Sequence, residues 1–219
     1  MTKPTAVCLE VGAKKVFASA VDWPGWCRAG KTEELALEAL EAYAERYAEV
    51  ADQAGVRFPK SAGAAFEVVE RARGDATTDF GAPGKIAKGD AEPLTAARAG
   101  RLAGLMGAAW QVFDRIAAAT PEELRKGPRG GGRDRDKMID HVLSAEAAYA
   151  RKIGVRHPPP APGDSAAVKA MRDEILAVLS SASDGTPPVP KGWPPRYAIR
   201  RIAWHALDHA WEMQDRTER

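Results

Sequence analysis

The sequence has little of what marks a secreted, membrane or nucleic-acid-binding chain. Cysteine is confined to Cys8 and Cys27. The two could pair, but in a reducing cytosol free thiols are expected. No apolar run approaches the roughly 18 residues of a membrane span. The opening Met-Thr-Lys-Pro-Thr lacks a signal-peptide h-region. These absences argue against a membrane partner and place the chain in the cytoplasm. Charge of one sign is lacking too: 32 Lys and Arg stand against 30 Asp and Glu, a net +2, so the balance does not point to nucleic acid. No internal repeat is visible. What remains is an ordinary soluble globular composition, long enough at 219 residues for one large domain or two small ones.

Histidine is scarce, with four in the chain, and its placement is informative. His205 and His209 stand at i and i+4 in a segment that is helical from Tyr197 to about Asp215, so both imidazoles share one face. His157 sits in Val-Arg-His-Pro-Pro-Pro, where the prolines forbid a helix, and is expected in an exposed loop. His141 is the better third ligand. It lies in a helical stretch from Asp134 to Ile153, on the inward stripe Met138, His141, Val142, Ala145, Tyr149. A single histidine on an apolar stripe is usually a hydrogen-bonded core residue, whereas three of four on inward faces suit a transition metal. Three nitrogens leave a coordination position open, as reactive sites do and sealed structural sites do not.

Taken in order, residues 5 to 11 and 15 to 22 read as a hairpin through Gly12, Ala13 and Lys14. Trp23-Pro24-Gly25 makes a turn, and Trp26 to Ala29 a third short strand. Thr32 caps a helix with Glu33 and Glu34 in its first turn. Its stripe is Leu35, Ala39, Leu40, Tyr43, Tyr47 and Val50, and Gly55 stops it. Ala65 to Glu70 returns as a last strand. Asp22-Trp23-Pro24-Gly25, Gly30, Thr32, Glu33, Glu34 and the alanine-leucine helix resemble the HicB antitoxin-like domain over residues 5 to 70. The family's usual cysteine falls on Trp26, with Cys27 displaced by one. The resemblance implies a small β-sheet with one packed helix. Antitoxin activity is not carried over, because no DNA-binding pattern accompanies it.

Residues 74 to 93 are rich in glycine and carry two prolines, so a linker is expected, touching the rest through Phe80 and Ile86. Four helical stretches follow. The first, about 94 to 118, buries Leu102, Leu105, Met106, Ala109, Trp110, Phe113 and Ile116. Thr120-Pro121-Glu122-Glu123 adds a short turn. The second carries His141. The third opens at Asp164-Ser165 and turns Val168, Met171, Ile175, Val178 and Leu179 inward. The fourth follows Pro194-Pro195 with the stripe Ala198, Ile202, His205, His209, Glu212, Met213. Four such helices bury their stripes against one another as a bundle, and bundle metal sites are built from inward residues of facing helices.

His141 on the second helix with His205 and His209 on the fourth is similar to the DinB/YfiT-like superfamily, metal-binding four-helix bundles widespread in bacteria. The resemblance covers residues 94 to 216. It implies that His141, His205 and His209 are metal ligands and that the chemistry is of the family's kind; bundles of this family often form homodimers. That kind includes bacillithiol S-transferases, mycothiol-dependent maleylpyruvate isomerase and hydrolase-like proteins. The expected class is α+β: a HicB-like domain (1–73), a linker (74–93) and a DinB-like four-helix bundle (94–219).

Three neutral imidazoles leave a divalent metal its full charge, so a water or a thiol on it would be acidified toward about pH 7. Zinc is the first expectation for the metal, with nickel, iron or manganese as alternatives. The expected reaction is transfer or isomerisation with a low-molecular-weight thiol, or hydrolysis by activated water, on a small-molecule substrate. The rival is a non-enzymatic binding or regulatory module whose metal is structural. Asp208 or Glu212 could orient a ligand imidazole through its second nitrogen, or both could be surface charges. Glu146, off the His141 face, is expected exposed or paired. The basic, glycine-rich run 124 to 135 could hold an anion but reads first as a solvated loop. Cys27 beside Arg28 and Lys31 could have a depressed pKa, although Trp and Cys in such a place more often pack.

Overall fold

The computed structural model describes residues 4–126, 132–161 and 163–217. It is a mixed α+β structure. Strand β1 (Thr5–Val11) pairs antiparallel with β2 (Val16–Ala20), which pairs antiparallel with β3 (Cys27–Gly30). The chain then forms helices α1 (Glu33–Ala42) and α2 (Ala44–Gln53) and returns as β4 (Phe66–Arg73), parallel to β1, giving the sheet order β3-β2-β1-β4. The hairpin closes where Gly12 N donates to Lys15 O at 2.9 Å. Asp79 Oδ1 accepts from Lys14 N at 2.7 Å and caps the turn from outside.

Thr32 caps α1 by accepting from Leu35 N. The single helix expected up to Gly55 is broken at Tyr43, whose φ of −98° and ψ of 6° leave the helical basin. The cause is tertiary. The Tyr43 ring meets Trp211 edge-on at 5.1 Å, its hydroxyl donates to Asp215 at 3.0 Å, and Arg28 lies over it at 4.0 Å. Below the break, Trp26, Tyr47 and Phe58 stack against one another. The Trp26 indole donates to Leu40 O, and the Tyr47 hydroxyl to Pro24 O.

Residues 74–93 hold helix α3 (Ala76–Phe80) and a 3-10 turn (Lys88–Ala91). The expected apolar contacts are not the ones used: Phe80 is 89% exposed and Ile86 47%. Polar anchors replace them. The buried carboxylate of Glu10 accepts from Thr78 Oγ1 and from the amides of Gly84 and Lys85. Asp90 accepts from Ala87 N and from Arg200. A glycine-rich segment has few side chains to bury, so its amides carry the attachment.

Helices α4 (Ala96–Ala119), α5 (Arg135–Ala150), α6 (Ser165–Leu179) and α7 (Pro195–Thr217) follow. All seven residues expected inward on α4 are buried. Helix α7 is buried around most of its circumference, its enclosed residues including Arg196 and His205 as well as apolar ones. It packs on α4 and α5, and on the sheet side Trp204 meets Phe17 at 6.1 Å. Gly25, at φ 93°, lets the turn before β3 approach Ala203 and Leu207 so closely that a Cβ would sit 2.6 Å from Leu207. One hydrophobic cluster accordingly runs from Val7 and Leu9 through Tyr47 and Met106 to Ile202 and Trp211. No helix among the described residues is long and apolar enough to cross a membrane.

Candidate metal centre

Helix α5 presents His141 toward α7, where His205 and His209 lie one turn apart. The three form a group whose donor atoms all fall within 4.8 Å of one another and that could hold a metal ion. Ring centroids are 5.0, 4.9 and 4.7 Å apart for His141–His205, His141–His209 and His205–His209. Nε2 of His205 stands 3.2 Å from Nε2 of His141. Two nitrogens at about 2.0–2.1 Å from one tetrahedral ion stand ~3.3 Å apart, so this pair already has the spacing of co-ligands. His205 is 6% exposed, while His141 and His209 are partly open to solvent. Among the described residues no cysteine or carboxylate joins the group as a fourth member.

The electrostatics favour the neutral form of His141 and His205. Burial, then the His209 and Arg133 charges, lower the pKa of His141. Burial, then the two other histidines, hold His205 well below the usual histidine value. Neutral imidazole is the ligating form. Nδ1 of His209 lies 3.1 Å from Glu212 Oε2. That hydrogen bond is the main cause of a lowered Glu212 pKa. An ionised carboxylate can only accept, so Nδ1 carries the proton of this bond, and in the neutral ring that leaves the lone pair on Nε2. Nδ1 of His205 is buried without a hydrogen-bond partner among the described residues.

Of the two carboxylates weighed, Glu212 hydrogen-bonds a histidine of the group, His209. Asp208 pairs instead with Arg28 of β3 at 3.0 Å, and burial raises its pKa. Glu146 is fully buried and makes a two-point contact with Arg172 at 2.9 and 3.0 Å. His157 lies outside the helices, 2.7 Å from Glu174 and apart from the group.

Sequence reading missed what surrounds the histidines. Arg216 Nη1 donates to Glu212 Oε1 at 3.1 Å and to Arg133 O at 2.6 Å, while its Nε donates to Arg125 O. The i, i+4 spacing of Glu212 and Arg216 is the signal that could have found it. Tyr149, two turns beyond His141 on the same stripe, meets the His205 ring edge-on at 5.6 Å and accepts from Arg201 Nη2. Residues 127–131 of the expected anion loop lie outside the described residues. Its flanks are tied down by Arg216 and by the Lys126–Asp134 ion pair.

The depressed thiol is overturned. Cys27 is buried, takes a hydrogen bond from Ser19 Oγ, and burial pushes its pKa up to about 12. Arg28, the cation expected to acidify it, is committed to Asp208. Cys8 is likewise raised, to about 11, and both cysteines are free thiols.

No family model, curated protein or solved structure matches the chain.

Proposed function

We propose that the chain is a metal-dependent enzyme of the DinB/YfiT-like type acting on a small molecule. The favoured chemistry is transfer or isomerisation with a low-molecular-weight thiol, and the next is hydrolysis with activated water. The observation that carries this reading is the convergence of His141, His205 and His209 from two helices, with no fourth donor in the group among the described residues. A divalent ion held there, zinc first, supplies uncompensated positive charge that acidifies a thiol or water near neutral pH. The chain's own contributions follow from the geometry. Three neutral nitrogens hold the ion, Glu212 fixes the His209 tautomer, and partial exposure of His141 and His209 leaves a way in for substrate. Four protein donors would instead make a structural staple.

The test is elemental analysis of tag-free protein purified without added metal, beside His205→Ala. One equivalent in the wild type and little in the variant supports the site, and thiol transfer and hydrolysis are then assayed with that metal. No metal in either protein after reconstitution would sink the reading. Stoichiometric metal that affects only stability, with no turnover, would favour a binding module with a structural metal.

A further inference from the structure

A cavity lies away from the histidines, between the sheet, the 3-10 turn and the first turn of α7. Its volume is about 550 Å³. Cys8, Ser19 and Val21 line it from β1, β2 and the turn after β2, and Val69 from β4. Its basic groups are more telling. Arg71 is paired with Glu33, Arg98 with Asp22 and Arg200 with Asp90. Arg196 differs from all three. It is 5% exposed, and its Nε and Nη2 are buried with no hydrogen-bond partner among the described residues. The lining carboxylates do not serve it: Asp90 is held by Arg200, Glu70 accepts from the Lys88 amide, and Glu92 is exposed.

An unpartnered buried guanidinium is costly unless something ionic completes it. Arg196 is the second residue of α7, so the positive end of a 23-residue helix adds to its field. Pro195 before it presets the helical turn and has no amide of its own to satisfy. Burial and the neighbouring Arg98 cation both press its pKa down, the direction an incoming anion would reverse.

We propose that this cavity binds a small organic anion through a carboxylate or phosphate group, with the Arg196 guanidinium as its cationic anchor. Nε and Nη2 are closed off, so the guanidinium acts on the anion as an unneutralised charge. Lys88 and Arg98 line the same cavity and add positive charge. Arg196 precedes His205 by nine residues, about 13 Å along the helix axis, so the site is distinct from the histidine group.

Calorimetric titration of the full chain with inorganic phosphate, and separately with succinate at matched ionic strength, tests this. Saturable binding of at least one probe is expected, and which one binds tells phosphate from carboxylate. Arg196→Gln should weaken it at least tenfold, and Arg196→Lys, which keeps the charge, by less. Gly89 also lines the cavity and a Cβ there meets open space, so Gly89→Asp adds a repelling charge without disturbing the fold. It too should weaken binding at least tenfold, and it decides the matter if Arg196→Gln fails to fold. His205→Ala should bind as the wild type does. No binding of either probe, unchanged affinity in folded Arg196→Gln or in Gly89→Asp, or loss of binding in His205→Ala would overturn the proposal.

Discussion

Glu212 accepts a hydrogen bond from Nδ1 of His209 at 3.1 Å, and its other oxygen accepts from Arg216 one turn on. The pair sets which His209 nitrogen is free to ligate. Removing a carboxylate that orients a ligand imidazole typically costs 10–100-fold in metal affinity. Glu212→Gln should therefore weaken zinc binding by about that factor, measured by competition with a chromophoric chelator. Asp208→Asn, one residue from His209 but bonded to Arg28, should leave zinc affinity within about twofold. An equal loss in both variants would mean that general charge, and not the His209 contact, governs the site.

The three histidines were legible because a spacing of four fixes a helix face and His141 falls on an inward stripe. The hairpin, the Thr32 cap and the buried face of α4 follow from equally local rules. What was hidden depends on residues far apart in sequence. The break at Tyr43 is set by Trp211 and Asp215. Asp208 finds its partner 180 positions away, and Glu10 collects amides more than seventy positions on. Arg28 was read as a neighbour of Cys27 because adjacency is all a sequence displays. In β3 neighbouring side chains point to opposite faces, so Cys27 is buried and Arg28 reaches α7.

Cys27 should be inert in the folded protein. With its pKa near 12 and its side chain buried, it holds a negligible thiolate fraction at pH 8. Iodoacetamide at pH 8 followed by peptide mass mapping should leave Cys27 unlabelled in buffer and fully labelled in guanidinium chloride. Rapid native labelling at Cys27 would contradict the burial.

Acid sensitivity should be traceable to the hairpin clamp. Hydrogen bonds from Lys14 N, and then from other turn amides, hold the Asp79 pKa below its ordinary 3.8. A depressed folded pKa gives stability that is present above the unfolded pKa and lost as pH falls through the folded one. Asp79→Asn should lower the melting temperature at pH 7, and its deficit relative to wild type should shrink below about pH 4. A deficit that stays constant down to pH 2 would show that the amide cap, not the charge, is what the carboxylate contributes.

Among the later helices, Arg172 joins α6 to α5 through the two-point contact with Glu146 and to α4 through Asp114 at 2.7 Å. Its guanidinium also lies 5.0 Å from the Trp110 ring centre. Glu146 is wholly enclosed whereas Asp114 is half exposed, so only the Glu146 arm is desolvated on both sides. Glu146→Ala leaves the cation with its weaker, solvent-screened partner and should cost about 3–5 kcal/mol in urea unfolding. Asp114→Ala should cost about 1 kcal/mol or less. Replacing Glu146 and Arg172 together by leucine and methionine removes both charges from the interior, and should restore most of the stability lost in Glu146→Ala. If the double variant is no more stable than the single one, the pair is holding the helices in register through its geometry, and an apolar contact of similar volume cannot replace it.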